Sequence, residues 1–200
     1  MQETRQKADT FLKSGKYFEA ASFYIEALRQ SPDDARLWAN LGNALVAAGD
    51  RGQALEAYGH AVRLCPDNAM MHYNYGSSLL DGDRLEKARL HLDESARLKP
   101  EFSWTFDRLG TLYHQMNDRA KALRNYDKAM ALRPKDIGLQ WRRCLAELSI
   151  CYENEETVSE ARRNYEERLA VLRQSFAPNN RQMLATALDG LRETPFYLAY

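Results

Sequence analysis

The side chains in this 200-residue chain with most to offer a ligand are amides set one period apart. Asn40 and Asn74 are 34 residues apart, and Gln6 and Arg108 continue that spacing on either side. A primary amide carries both a donor and an acceptor, so a row of them can pair with the backbone of an extended peptide whatever its side chains. Each such hydrogen bond nets only about 0.5–1.5 kcal/mol, so binding of this kind is expected to be weak and sequence-tolerant. Three residues further on, Asn43, Ser77 and Thr111 repeat the same spacing. Tyr73 and Trp104 lie beside these positions, with Trp141 further along. Such aromatics either anchor an apolar side chain of a partner or cover the neighbouring stretch of chain, and both roles stay open.

No catalytic constellation is read. His60, His72, His91 and His114 occupy different phases of the period and are not expected to converge, and none lies in a metal-ligand spacing. There is no Gly-rich phosphate loop and no Gly-x-Ser-x-Gly motif. Asp81-Gly82-Asp83 resembles the start of a calcium loop but lacks the later oxygen ligands, and reads as a turn. The expectation is a non-enzymatic chain with no cofactor and no metal.

Composition narrows the partners. Lys and Arg number 28 and so do Asp and Glu, for a formal net charge of +0, which gives no electrostatic reason to expect nucleic acid or an anionic membrane. The apolar runs are too short to span a bilayer, and Met1-Gln2-Glu3-Thr4-Arg5 lacks the apolar core of a signal peptide. A cytoplasmic location is expected. Cys65, Cys144 and Cys151 agree, being odd in number and without a disulfide or zinc spacing.

The elements that must position the amides follow from the prolines. Pro32, Pro66, Pro100 and Pro134 are each 34 residues apart, which divides the chain into units 1–34, 35–68, 69–102 and 103–136. Other columns then align: Ala8, Gly42, Gly76 and Gly110 at position 8; Phe11, Leu45, Leu79 and Tyr113 at 11; Ala20, Ala54, Ala88 and Ala122 at 20; Tyr24, Tyr58, Leu92 and Tyr126 at 24. Small residues at 8 and 20 let two helices approach closely while the large residue at 24 fills the space beside them. The apolar spacings within each unit are helical. Ser14-Gly15, Gly49-Asp50, Gly82-Asp83 and Asn117-Asp118 supply the turn between the two helices, and each proline ends the second, with Asp33 or Asp67 expected to cap the next.

These columns, clearest in Trp38, Leu41, Gly42, Leu45, Ala54, Tyr58, Ala61 and Pro66, resemble the tetratricopeptide-repeat (TPR) family. The resemblance implies an all-α fold, a right-handed superhelical solenoid of antiparallel helix pairs, with the first helix of each repeat lining a concave groove that binds a protein or extended peptide. In the related O-linked N-acetylglucosamine transferases, asparagines at the place of Asn40 and Asn74 hold substrate peptides. A second family pattern, the carboxylate clamp for acidic chaperone tails, is matched by Asn43, Asn74 and Arg108. Its two lysine places hold Ala39 and Trp104, which removes most of the charge a dicarboxylate needs.

After residue 136 the columns decay: Gln140, Arg143, Cys144 and Glu147 stand at positions 4, 7, 8 and 11. Ala161 and Tyr165 restore the Ala-to-Tyr spacing if five residues are inserted. Residues 137–192 are read as a divergent fifth repeat with capping helices near 137–151, 157–175 and 181–190, and 193–200 as an apolar junction to a further domain. Ala161, Arg162, Tyr165, Leu169, Leu172 and the stretch Pro195 to Tyr200 resemble the junction in bacterial SPINDLY-like protein O-glycosyltransferases. That resemblance implies a substrate-recruiting arm for a downstream glycosyltransferase domain. The alternative is a free-standing scaffold, self-associating as a homodimer through its convex face or apolar C-terminus.

Overall fold

The computed structural model describes residues 2–148 and 154–175. All regular structure among them is helical. The chain divides into two compact units, Met1–Pro100 and Glu101–Tyr200.

The first unit holds three antiparallel pairs: α1 (Gln2–Lys13) with α2 (Tyr17–Gln30), α3 (Ala35–Ala48) with α4 (Arg51–Leu64), and α5 (Ala69–Asp81) with α6 (Leu85–Leu98). Each helix packs on the next, and α3 also meets α5 directly. The small-residue columns do what their size dictates. Ala20, Ala54 and Ala88 are fully buried. A methyl group at Gly42 would sit 2.5 Å from Tyr58 Cε1, and one at Gly76 would sit 2.8 Å from Leu92 Cγ, so neither position has room for a side chain.

The turns are where sequence and structure part slightly. Gly15 and Gly49 have φ of 76° and 87°, the left-handed region where glycine costs least. In the third hairpin that conformation falls on Asp83 (φ 59°) and not on Gly82, a place where a short polar side chain is also tolerated. The helix caps are Asp34 and Asn68, one residue later than the expected Asp33 and Asp67: Asp34 accepts from the N–H groups of Arg36 and Leu37, and Asn68 from those of Met70 and Met71. The reason is the proline turn, closed by Asp34 N–H to Ser31 O and Asn68 N–H to Cys65 O, which places Asp33 and Asp67 inside the turn.

The second unit pairs α7 (Ser103–Gln115) with α8 (Arg119–Leu132) and α9 (Ile137–Leu145) with α10 (Glu155–Ser175). Gly110 repeats the close approach, with a methyl there only 2.6 Å from Tyr126 Cδ1. α10 begins two residues before the expected 157, because Asn154 accepts the Thr157 N–H at 2.9 Å and so acts as its cap. Cys144, Tyr165, Leu145 and Leu148 form one core cluster with Trp141 and Leu169 against it. Arg143 and Glu147, which read as decay of the apolar pattern, are buried. They pair with each other one turn apart on the chain, while Arg143 also holds Asp127 at 2.8 Å and Arg119 holds Glu147 at 2.6 Å. The columns are thus filled by an ion-pair network instead of by apolar side chains. The expected helix at 181–190, the loop at Pro178, Cys151 and the aromatic end 193–200 lie outside the described residues.

Candidate peptide-binding face

In the first unit the amide row is assembled across neighbouring first helices. Asn74 Nδ2 on α5 donates to Asn43 Oδ1 on α3 at 3.3 Å, and the same oxygen accepts the Tyr58 hydroxyl at 2.7 Å. Asn40, one turn before Asn43 on α3, is half-buried, and its amide makes no side-chain hydrogen bond among the described residues. Gln6 is exposed on α1. Tyr73 is half-buried beside the Tyr58 hydroxyl; burial first and Tyr73 second push Tyr58 above the usual tyrosine range, so it remains a donor.

The residues at position 9 have a structural role that spacing alone did not reveal. In three repeats they hold the hydroxyl of the position-24 tyrosine: Tyr24 to Asp9 at 2.5 Å, Tyr58 to Asn43 at 2.7 Å, and Thr111 with Tyr126 at 3.1 Å. In the third repeat Leu92 replaces the tyrosine, and the buried Ser77 Oγ is left without a partner. Asn43 and Thr111 therefore each brace their own helix pair.

In the second unit Trp104 is exposed on one side and covered on the other by the Arg133 guanidinium, 3.8 Å from the ring centre. Arg133 is held by Asp107 at 2.9 Å and Asp136 at 2.6 Å, and Arg142 also reaches Asp107 at 2.8 Å. Arg108 is half-buried on the same helix. Trp141 is half-buried and packs on Ile137, Leu172 and the Cys144 cluster.

The histidines correct the sequence reading. His72 and His91, expected to stay apart, meet with Nδ1 atoms 3.1 Å apart, and Trp38 stacks on His60 with ring centres 4.3 Å apart. The contacts join different repeat positions, so a column-by-column reading could not find them. A signal existed in three of the five position-4 side chains, which bond the proline carbonyl six residues earlier: Trp38 to Pro32, His72 to Pro66 and Gln140 to Pro134, at 2.7, 2.9 and 2.7 Å. Among the described residues no three His, Cys, Asp or Glu side chains converge on a metal position, and no helix is long and apolar enough to cross a membrane.

Comparison with known proteins fits this geometry. Three tetratricopeptide-repeat family models match, over residues 11–58, 40–101 and 105–136. No curated protein matches. Among solved structures, the chain is similar to MamA 41-end from Desulfovibrio magneticus RS-1 (20% identity, TM-score 0.75, covering 88% of this chain and 97% of that one). It is similar to pilF of Pseudomonas aeruginosa (22%, TM-score 0.71, 96% and 82%) and to YrrB, described as a TPR protein with an unusual peptide-binding site (16%, TM-score 0.69, 92% and 90%). At these identities the likeness speaks for the fold alone. Close-packed small columns, turns on a 34-residue period and three matching family models lead to one conclusion: from residue 11 to residue 136 the chain is made of tetratricopeptide repeats, and its fold is a TPR solenoid.

Proposed function

We propose that this chain is a binding scaffold whose first-helix face on α1, α3 and α5 takes an extended segment of another protein. The observation that carries the reading is the Asn74–Asn43 bridge between adjacent first helices. It fixes two amides in register while leaving Asn43 Nδ2, Asn74 Oδ1 and the Asn40 amide to pair with a peptide backbone. Residues three apart on a helix share a face, so Asn40 and Asn43 act together. Gln6 and Tyr73 flank this row, and on the second unit Ser103–Gln115 offers Trp104, Arg108 and Thr111 as its counterpart. YrrB, with its peptide-binding site, is a precedent for the fold in this role.

Titration of the labelled protein with an unstructured peptide tests it: amide shifts should appear first along α3 and α5. Shifts confined to the outer helices α2, α4 and α6 would refute the assignment of the face. A narrower proposal makes the chain the substrate-recruiting arm of a SPINDLY-like protein O-glycosyltransferase. It rests on the sequence resemblance alone. Ala161, Tyr165 and Leu172, part of that resemblance, are buried core residues, and packing already accounts for them. Its test is whether the full-length gene encodes a sugar-nucleotide-binding domain.

A further inference from the structure

The contact between His72 and His91 has a definite proton arrangement. The Pro66 carbonyl can only accept, so His72 Nε2, 2.9 Å away, carries a hydrogen and His72 Nδ1 presents its lone pair. His91 Nδ1, 3.1 Å away, must then donate to it. One further proton fits on His91 Nε2 without disturbing this bond. A second has no position except His72 Nδ1, where it would oppose the His91 N–H, inside a residue only 7% exposed.

We propose that the His72–His91 pair is a one-proton link that makes the α5–α6 hairpin acid-sensitive, closed near neutrality and loosened as the second histidine is protonated. The carboxylate that faces the pair is already engaged by an arginine. Tyr75 of α5 covers His91 with ring centres 4.5 Å apart, and the Tyr75 hydroxyl and the Arg63 guanidinium of α4 both lie beside Gly59. Glu94, one turn beyond His91 on α6, faces His72 but is paired with Arg97 at 2.6 Å, and Asp67 of the α4–α5 turn also faces Arg97. Burial first, and His72 second, hold His91 below the usual histidine range.

The sign follows directly. Below the ordinary histidine pKa of about 6.5 the closed hairpin takes at most one added proton where two free histidines take two, so it closes well above that pH and weakens below it. The closing equilibrium then falls by at least about tenfold per pH unit. The link is a property of the hairpin and does not depend on what the binding face holds.

The fold supplies its own control. Gln140 makes the same bond to Pro134 that His72 makes to Pro66, so His72→Gln keeps the anchor and removes the histidine–histidine conflict. Hydrogen exchange of α5 and α6 should be measured at about pH 7.5 and about pH 5.5 against α7 and α8, after correction for intrinsic rates. The expected result is a loss of relative protection of at least about tenfold in the natural chain, and a distinctly smaller loss in His72→Gln and in His91→Leu. A loss of equal size in the His72→Gln protein, or no loss in the natural chain, would overturn the proposal.

Discussion

Replacing Gly42 by alanine tests whether the packing columns are read correctly. The new methyl would lie 2.5, 2.7 and 2.9 Å from Tyr58 Cε1, Cδ1 and Cζ. Carbon atoms in ordinary contact sit at about 3.5–4.0 Å, so the ring must retreat by about 1 Å. Tyr58 is buried, and its hydroxyl is fixed to Asn43 at 2.7 Å, so the retreat strains or breaks that bond. Overpacking costs about 1–3 kcal/mol, and the bond contributes about 0.5–1.5 kcal/mol. Against this, alanine is a better helix former than glycine by about 1 kcal/mol. The first repeat carries Ala8 at this place and still closes its Tyr24–Asp9 bond, which puts the net loss at the lower end, about 1–2 kcal/mol. Urea unfolding followed by circular dichroism measures it. Gly52→Ala is the control: its methyl would meet nothing closer than Asp50 Oδ1 at 3.7 Å. That variant should gain up to about 1 kcal/mol from helix propensity. A Gly42→Ala protein as stable as the Gly52→Ala protein would mean that the helix-pair contact is not where the columns put it.

Three further outcomes follow from the second unit. Asp107→Asn leaves Arg133 and Arg142, both largely buried, short of their shared carboxylate, and should cost about 3–5 kcal/mol in thermal or urea unfolding. The double replacement Arg143→Leu with Glu147→Leu should be neutral or stabilising by about 1–4 kcal/mol, whereas Glu147→Leu alone should destabilise. Burial raises the Glu147 pKa, but the hydrogen bonds from Arg143 and Arg119 outweigh it and hold the group below 4.5; its stabilisation is therefore complete above that pH and lost on acidification below it, a loss the double variant should not show. Burial pushes the Cys144 thiol up to about 11, so mass spectrometry should find it unalkylated in the native protein near pH 8 and modified only after unfolding.

How much of this was legible in the sequence depends on the kind of interaction. The Ala20, Ala54, Ala88 and Ala122 column, the hairpin turns and the proline stops were readable because steric demands recur at every repeat. Ion pairs do not recur: Arg143 and Glu147 look like a lost pattern, since two opposite charges one turn apart can replace two apolar residues only when they pair with each other and with Asp127 and Arg119. The caps slipped by one residue because the proline turn takes up Asp33 and Asp67. Asn40, Asn43 and Asn74 were found by period, yet the Tyr58 bond that fixes Asn43 was not, because it joins position 9 to position 24. The His72–His91 contact escaped for the same reason.

The most direct test of the binding face is the double replacement Asn40→Ala with Asn74→Ala, assayed by calorimetric titration with an unstructured peptide alongside a melting curve. Two backbone-directed hydrogen bonds of about 0.5–1.5 kcal/mol each predict a weakening of about 5- to 150-fold. The melting temperature should hardly move, because the Asn74–Asn43 bond is exposed. Unchanged affinity in a folded double variant would contradict the account.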